Sequence, residues 1–483
     1  MIFLCLALVW LTGFGLLRWL FPSRLRWSVE NVLLFSLAVG VGIGIASCLY
    51  FVTLALGGGK LVTLASVEGA AAVIAVALGM SAKRSRSALT SSPEASTPSY
   101  LKALFVLGFA MAAVMFILYS LARPHGEADA WSIWNLHARF LARGGAFWTD
   151  AFSKQIAWSH PDYPLLLPGI IALCWTLART DSTAVTIAIA FLFTFAAAGL
   201  LMSTLAILRG RTQAFIAGIL LLGTAAFVET GATQYADVPL SFYMLATLAL
   251  ICLQDRYPED LRFSLLAGLT AGFAAWTKNE GLLFVVVVAV ARSIALFRFS
   301  RRPGWTRQLI LFAGGALPPL AVVGFFKLRY APPDDLMTRT WSTIIHNLSD
   351  PARWITCITA FIQAALTWGG FLIPILLVLV LYWYLVRFQV DETGRPGLWT
   401  AAIALALMLA GDFAAYLLLV GGDLEVQIHN SIVHVLLQLW PAGLLTFFAA
   451  ANVPQLVATP KAAEPEKHAK RPPKARRRAA GTH

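Results

Sequence analysis

Three features of this 483-residue chain predict an all-α polytopic membrane protein with about thirteen transmembrane helices. Hydrophobic residues make up 59% of it and charged residues only 13%, too few to build a water-facing surface. Apolar runs of about 17–25 residues recur almost end to end, and in lipid each can satisfy its own backbone only as a helix. The two-residue alternation of a membrane barrel does not occur.

In chain order the predicted spans are 2–20, 31–56, 61–80, 101–122, 183–208, 213–236, 238–254, 262–277, 281–299, 308–327, 355–387, 398–420 and 434–452. The first has no basic start and no small-x-small cleavage site, and its cations Arg18, Arg24 and Arg26 follow the apolar run, so it reads as a retained span. Three leading helices (1–80) are set off by a Ser/Thr/Pro-rich linker, 81–100, whose Lys83, Arg84 and Arg86 predict a cytoplasmic loop. A second module, 101–327, carries a large outer loop at 123–163. It is followed by an outer loop at 328–354, C-terminal helices at 355–452, and a basic tail at 453–483 expected to be disordered and cytoplasmic. The net charge of +13 sits mainly in short loops and in the tail between Lys461 and Arg478, where the positive-inside bias accounts for it. Nucleic acid is therefore not an expected partner. Cys5, Cys48, Cys174, Cys252 and Cys357 are scattered without a C-x-x-C pair, which indicates neither a disulfide framework nor a zinc site.

Segment 164–178 is apolar but only about fifteen residues long, short for a span. If it crossed, the basic loop Arg209-Gly210-Arg211 and the 298–307 loop would face outward and the acidic loop with Asp423 and Glu425 inward. If it stays on one side, every loop obeys the positive-inside bias, with the N-terminus outside and the C-terminus cytoplasmic. It is therefore expected not to span.

That topology puts four polar clusters on the outer face. Ionisable groups at membrane depth cost about 2.5–3.5 kcal/mol each, so they usually face a cavity or a partner. The 123–163 loop holds Glu127-Ala128-Asp129, then Trp131, Trp134, Asn135, His137, Arg139 and Arg143. Trp131, Trp134, Ala138 and Leu141 fall at helical spacing, predicting an interfacial helix with its tryptophans in the headgroup layer and Asp129 at its N-terminus. Asp129 is then either a cap or a general base that takes a proton from an attacking hydroxyl. His160-Pro161-Asp162-Tyr163-Pro164 closes the loop in a rigid turn, which either starts a helix or holds His160 and Asp162 stiffly for a site. Asp237, two residues before Pro239, reads as an N-cap or a site acid. Lys278 and Glu280 read as a mutual ion pair, or as a lysine that neutralises an anionic ligand such as a phosphate. The chain has no Walker loop, no G-x-G-x-x-G after a strand, no D-x-D, no G-x-S-x-G and no H-E-x-x-H, so a nucleotide donor has no seat.

The order of these clusters resembles the GT-C superfamily of membrane glycosyltransferases, in its branch of protein O-mannosyltransferases and aminoarabinose transferases, similar to glycosyltransferase family 39. In that branch an acidic motif opens the first large periplasmic loop, an interfacial helix follows, and an acid beside a proline closes it; Glu127-Ala128-Asp129, residues 131–141 and Asp162-Tyr163-Pro164 occupy those places. A basic turn, a span ending at an Asp, and a Thr-Lys turn come next, matched by Arg209-Gly210-Arg211, Tyr235-Ala236-Asp237 and Trp276-Thr277-Lys278-Asn279-Glu280-Gly281. The resemblance covers about 101–327 and rests on order and spacing. The family motif is an adjacent Asp-Glu, whereas this chain has Glu-x-Asp, which leaves Glu127 a rival to Asp129. Residues 2–80 and the half after 330 have no clear counterpart, although 328–354, with Asp334, Asp335, Arg339 and His346, fits the later loop that covers the family's site.

What the resemblance implies is transfer of a sugar, with inversion, from a polyprenyl-phosphate donor to an acceptor at the outer face of a bacterial inner (cytoplasmic) membrane. The acceptor is a glycolipid, a polysaccharide or a protein, and membrane lipids surround the enzyme. Asp129 (or Glu127) would be the base, and Lys278 with Arg139 or His160 would hold the departing phosphate. Asp162, Tyr163, Asp237, Glu280 and Trp134 would line the substrate site. No cofactor is required, and a divalent cation on Asp129, Asp162 and Asp237 is an option. The competing classes are a lipid or small-molecule transporter or flippase, and a non-catalytic envelope assembly factor.

Overall fold

The computed structural model of the chain describes residues 1–21, 29–82, 97–300, 304–333, 340–370, 374–419 and 423–453. Arg24, Arg26, Lys83, Arg84, Arg86, Asp334, Asp335, Arg339, part of the 298–307 loop and the tail after 453 lie outside the described residues.

The helices are α1 (Ile2–Leu20), α2 (Val29–Ala55), α3 (Leu61–Ser81), α4 (Ser99–Ala122), α5 (Asn135–Arg143), α6 (Leu166–Ala178), α7 (Thr183–Leu208), α8 (Arg211–Gly223) and α9 (Ala225–Ala232). They continue with α10 (Asp237–Arg256), α11 (Arg262–Thr277), α12 (Asn279–Phe299), α13 (Thr306–Arg329), α14 (Trp341–Ser349), α15 (Pro351–Thr367), α16 (Ile375–Val386), α17 (Arg395–Leu417) and α18 (Leu424–Ala450). Among the described residues the only extended pairing is a single bridge between Phe388 and Ala451. The chain is an all-α protein in which ten helices, α1–α4, α7, α10, α12, α13, α17 and α18, are each long and apolar enough to cross a membrane.

Three of the thirteen predicted spans differ from this. The 213–236 run is two helices, α8 and α9, bent by 60°. At the break the Thr224 hydroxyl donates back to the Leu220 carbonyl (2.7 Å) and accepts from Trp440 Nε1 (3.1 Å), which anchors the corner. The 355–387 run is broken into α15 and α16, inclined by 82°. Gly369 and Gly370 sit between them at φ 82° and 69°, backbone that only glycine adopts freely, and Pro374 starts the second piece. Helix α11, at 16 residues, is about 24 Å long and falls short of a full crossing by itself.

Helix α10 is the axis of the fold. All its residues from Asp237 to Asp255 are buried, as befits a helix with no polar stripe, and it packs against α2, α7, α9, α11, α17 and α18. The tightest crossing, α11 on α13, is made by small residues. A Cβ on Gly268 would strike the Phe312 carbonyl and one on Gly315 the Leu265 carbonyl, so the backbones touch directly. The leading helices are built into this bundle: Tyr243 donates to the Gly40 carbonyl (2.8 Å), and Trp276 Nε1 donates to Ser47 Oγ (3.0 Å), which donates on to the Leu165 carbonyl (3.1 Å). Met1–Val453 is accordingly one compact unit.

Helix α6 spans about 20 Å, well short of a hydrocarbon core. Arg143 at the end of α5 pairs with Asp181, just after α6, so the segments before and after α6 meet. The predicted interfacial stripe is corrected. Ala130–Trp134 is a π turn, whose wider coil changes the phase of the face, so Trp131 points outward while Trp134 is buried with Ala138 and Leu141.

Candidate functional site

Two tight turns bring the first acidic loop against the start of α10. Gly126 has φ 75°, and a Cβ there would collide with the Thr233 carbonyl, so the chain passes close enough for the Glu127 amide to donate to that oxygen (3.3 Å). Gln234, itself at φ 63°, donates through Nε2 to the Pro124 carbonyl (3.0 Å) and accepts from Asn135 (3.4 Å). These bonds set Asp129 beside the end of α10 that carries Asp237.

Asp237 is no helix cap: its carboxylate leaves the first turn of α10 and is bound from two other elements. Oδ1 accepts from Lys278 Nζ (3.1 Å) and Gln438 Nε2 (2.7 Å), while Oδ2 lies 3.0 Å from His434 Nδ1. Lys278 stands in the turn between α11 and α12, where a Cβ at Gly281 would strike the Ala274 carbonyl, so the chain reverses within a few residues. Its Nζ also meets Glu280 Oε1 at 3.0 Å. An ammonium has three N–H donors, and two are used among the described residues, which leaves one for a ligand. Burial works against the Lys278 charge, but the carboxylates of Asp237 and Glu280 outweigh it and hold the ammonium well above the ordinary lysine range.

Asp129 is different in kind. It is half-buried and makes no cap bond with the helix it precedes. Burial, followed by repulsion from Asp237, raises its carboxyl above the usual carboxylate range, with Lys278, His434 and His160 partly offsetting the rise. A carboxyl so placed holds a proton more readily than an exposed one, which suits a general base.

Around this centre several buried atoms have no partner among the described residues: Glu280 Oε2, Gln438 Oε1 and Asp412 Oδ2, the last on α17. Tyr163 forms one wall, stacked between His160 (4.7 Å, 19°) and Trp134 (5.6 Å, 22°), with Lys278 Nζ 6.0 Å from its ring centre. Tyr235 packs against His434 with ring centres 5.3 Å apart.

The structure thus brings together Asp129, Asp237, Lys278, Glu280, His160, Tyr163 and Trp134 from the predicted set. Of the others, Glu127 and Asp162 are engaged elsewhere. Glu127 is held by Arg123 (2.6 Å) and Tyr119 (3.1 Å). Arg139 is half-buried on α5 and joins no ion pair with any described residue. Asp162 is a brace: its Oδ2 accepts from Asn279 (2.6 Å), and Lys327 bridges the Asp162 carbonyl (2.6 Å) and Asn279 Oδ1 (2.7 Å). The predicted cation set of Asp129, Asp162 and Asp237 gains no support: among the described residues no three His, Cys, Asp or Glu side chains are placed to hold a metal. Asp162 and Asp237 spend their oxygens on Asn279, Lys278, His434 and Gln438 instead.

Sequence reasoning missed His434, Gln438, Asp412 and Lys327. A signal for the first three existed: His434 and Gln438 lie four apart on one face of an apolar helix, and Asp412 is the lone acid inside another. Comparison with protein families, curated proteins and solved structures gives no match to this chain.

The centre therefore offers, among the described residues, a carboxylate without a cap bond, Asp129, near a lysine and a histidine that a second carboxylate, Asp237, holds in place. It can take a proton from a hydroxyl on one side and stabilise a departing anion on the other.

Proposed function

We propose that the protein is a membrane glycosyltransferase that moves a sugar from a polyprenyl-phosphate donor to an acceptor at the outer face of a bacterial inner membrane. In this reading the chain crosses thirteen times, the two bent pairs and α11 each counting as a crossing, with the N-terminus outside and the C-terminus cytoplasmic. The meeting of the segments before and after α6, through Arg143 and Asp181, supports a non-crossing α6 and so supports that parity.

The observation that carries the reading is the contrast between Asp129, which has no cap bond, and Asp237, which is fully bonded to Lys278, His434 and Gln438. Asp129 accepts the proton of the acceptor hydroxyl as its oxygen attacks the anomeric carbon. The bond from that carbon to the lipid phosphate breaks, and its electrons leave on the phosphate oxygen. The remaining Lys278 donor and protonated His434 stabilise that oxygen. Attack opposite the leaving group inverts the anomeric centre. Asp237 is the positioning residue for both cations, and the Tyr163 stack supplies a face for a sugar ring.

The test is a transfer assay with the purified protein and a panel of polyprenyl-phosphate sugars, scoring sugar moved to lipid, polysaccharide and peptide acceptors. Turnover with one donor and inversion at its anomeric carbon is the expected result; no transfer with any donor would overturn the reading. A second reading, a transporter, draws on the bent pairs α8–α9 and α15–α16, since broken helices near buried charges mark transport sites. Uptake into proteoliposomes without transfer would favour it.

A further inference from the structure

Cys5 on α1 and Cys174 on α6 are both buried, and their Sγ atoms lie 2.9 Å apart although 169 residues separate them in the chain. Unbonded sulfurs rest farther apart than that, and an S–S bond closes at about 2.05 Å. Packing of α1 against α6 already brings the two thiols nearly to bonding distance. Cys48, Cys252 and Cys357 have no sulfur within reach among the described residues.

We propose that Cys5 and Cys174 are joined by a disulfide in the mature protein, bracing the first helix against the short helix that follows the Asp162 turn. Two features argue for a bond rather than a resting thiol pair. Cys5 lies in the first turn of α1, and Cys174 lies five residues before Arg179 in a helix whose exit loop is ion-paired to the outer loop. Both therefore sit toward the outer end of the bundle, beside the compartment where disulfides form and persist. This step rests on the outer placement proposed above and not on glycosyl transfer.

The chemistry balances as a thiol–disulfide exchange. A disulfide-bearing oxidant of the outer compartment accepts two electrons and leaves as a dithiol, while the two cysteine thiols lose their protons and form one S–S bond. Because both sulfurs are buried, the exchange takes place before α6 has packed onto α1.

The bond assigns a role to a leading helix that has no part in the polar centre. It ties α1 to α6, directly after the turn that carries Asp162 and Tyr163, and so holds that turn to the bundle.

The experiment is peptide mapping of the full-length protein, taken from membranes after free thiols are trapped with an alkylating reagent under denaturing conditions, with and without reductant. The expected result is one cross-linked peptide pair containing Cys5 and Cys174, with three alkylated cysteines of the five before reduction and five after. Cys5→Ser should abolish the pair and leave Cys174 alkylated, and Cys174→Ser the reverse. Five alkylated cysteines in the unreduced wild-type protein, or a bond from either residue to a different partner, would overturn the proposal. Neither result touches the transfer assay, so the two claims fail separately.

Discussion

The two ends of α10 each carry a buried acid, and they are finished differently. At one end Asp255 is clasped by Arg292 through two bonds (3.0 and 2.6 Å), and the same guanidinium donates to Gln308 (2.6 Å). No buried atom of that trio is left unpaired among the described residues. At the other end Asp237 is equally well bonded, yet its partners Lys278 and Gln438 adjoin oxygens of Glu280, Gln438 and Asp412 that have no partner among the described residues, with Asp129 alongside. A closed network holds helices together, whereas unmet buried acceptors cost free energy that a ligand, an ion or an ordered water can offset. The difference separates a structural ion pair from a candidate site on one helix.

Breaking the closed end should have the largest effect on stability. Arg292→Met strands a buried carboxylate and should cost about 3–5 kcal/mol, read as a lower thermal midpoint and less folded protein. Replacing both partners, Asp255→Leu with Arg292→Met, should recover most of that loss, and failure to recover would mean that the pair does more than fill space.

The open end also contains one titratable group of the structural kind. His137 is buried against Ser159 (3.2 Å), and burial, with a smaller push from His160, drives it down to about 4. The folded protein keeps it neutral while the unfolded chain protonates near 6.5, so its contribution is complete above that pH. The contribution is lost as pH falls from about 6.5 through 4, by up to about 3 kcal/mol. Chemical denaturation at pH 7 and pH 5 should show the loss, and His137→Gln should flatten it; an unchanged slope would remove His137 from the account.

Asp412→Asn should have the smallest effect on stability, because no bond is broken at its Oδ2. The thermal midpoint should hold within about 1 kcal/mol, while turnover or KM shifts by about tenfold, the value of one hydrogen bond to a charged group. A large loss of stability with unchanged kinetics would place Asp412 with the closed kind.

Much of the fold was legible because lipid leaves the backbone one choice, and length plus composition locate most of the helices. What misled were places where local chemistry interrupts an apolar run. Thr224 and the Gly369-Gly370 pair break helices whose composition alone is continuous, and a π turn rotates Trp134 inward. In the candidate site the acids and Lys278 were legible because charges in helix turns stand out. His434, Gln438 and Asp412 stand out only as polar groups inside apolar helices, and packing alone reveals that they face this centre. Asp162 shows the converse: it has the expected rigid turn, but its side chain is consumed by Asn279 and Lys327.

The most direct measurement is the transfer rate of Asp129→Asn relative to wild type at equal thermal midpoint. Loss of the Asp129 carboxylate should lower the rate by about 10²–10⁴-fold without unfolding the protein. In the wild type the rate should rise with pH through a value above the ordinary carboxylate range, since the base must be ionised to act. A variant that folds and turns over at the native rate would contradict the assignment of the open end of α10 as a catalytic centre.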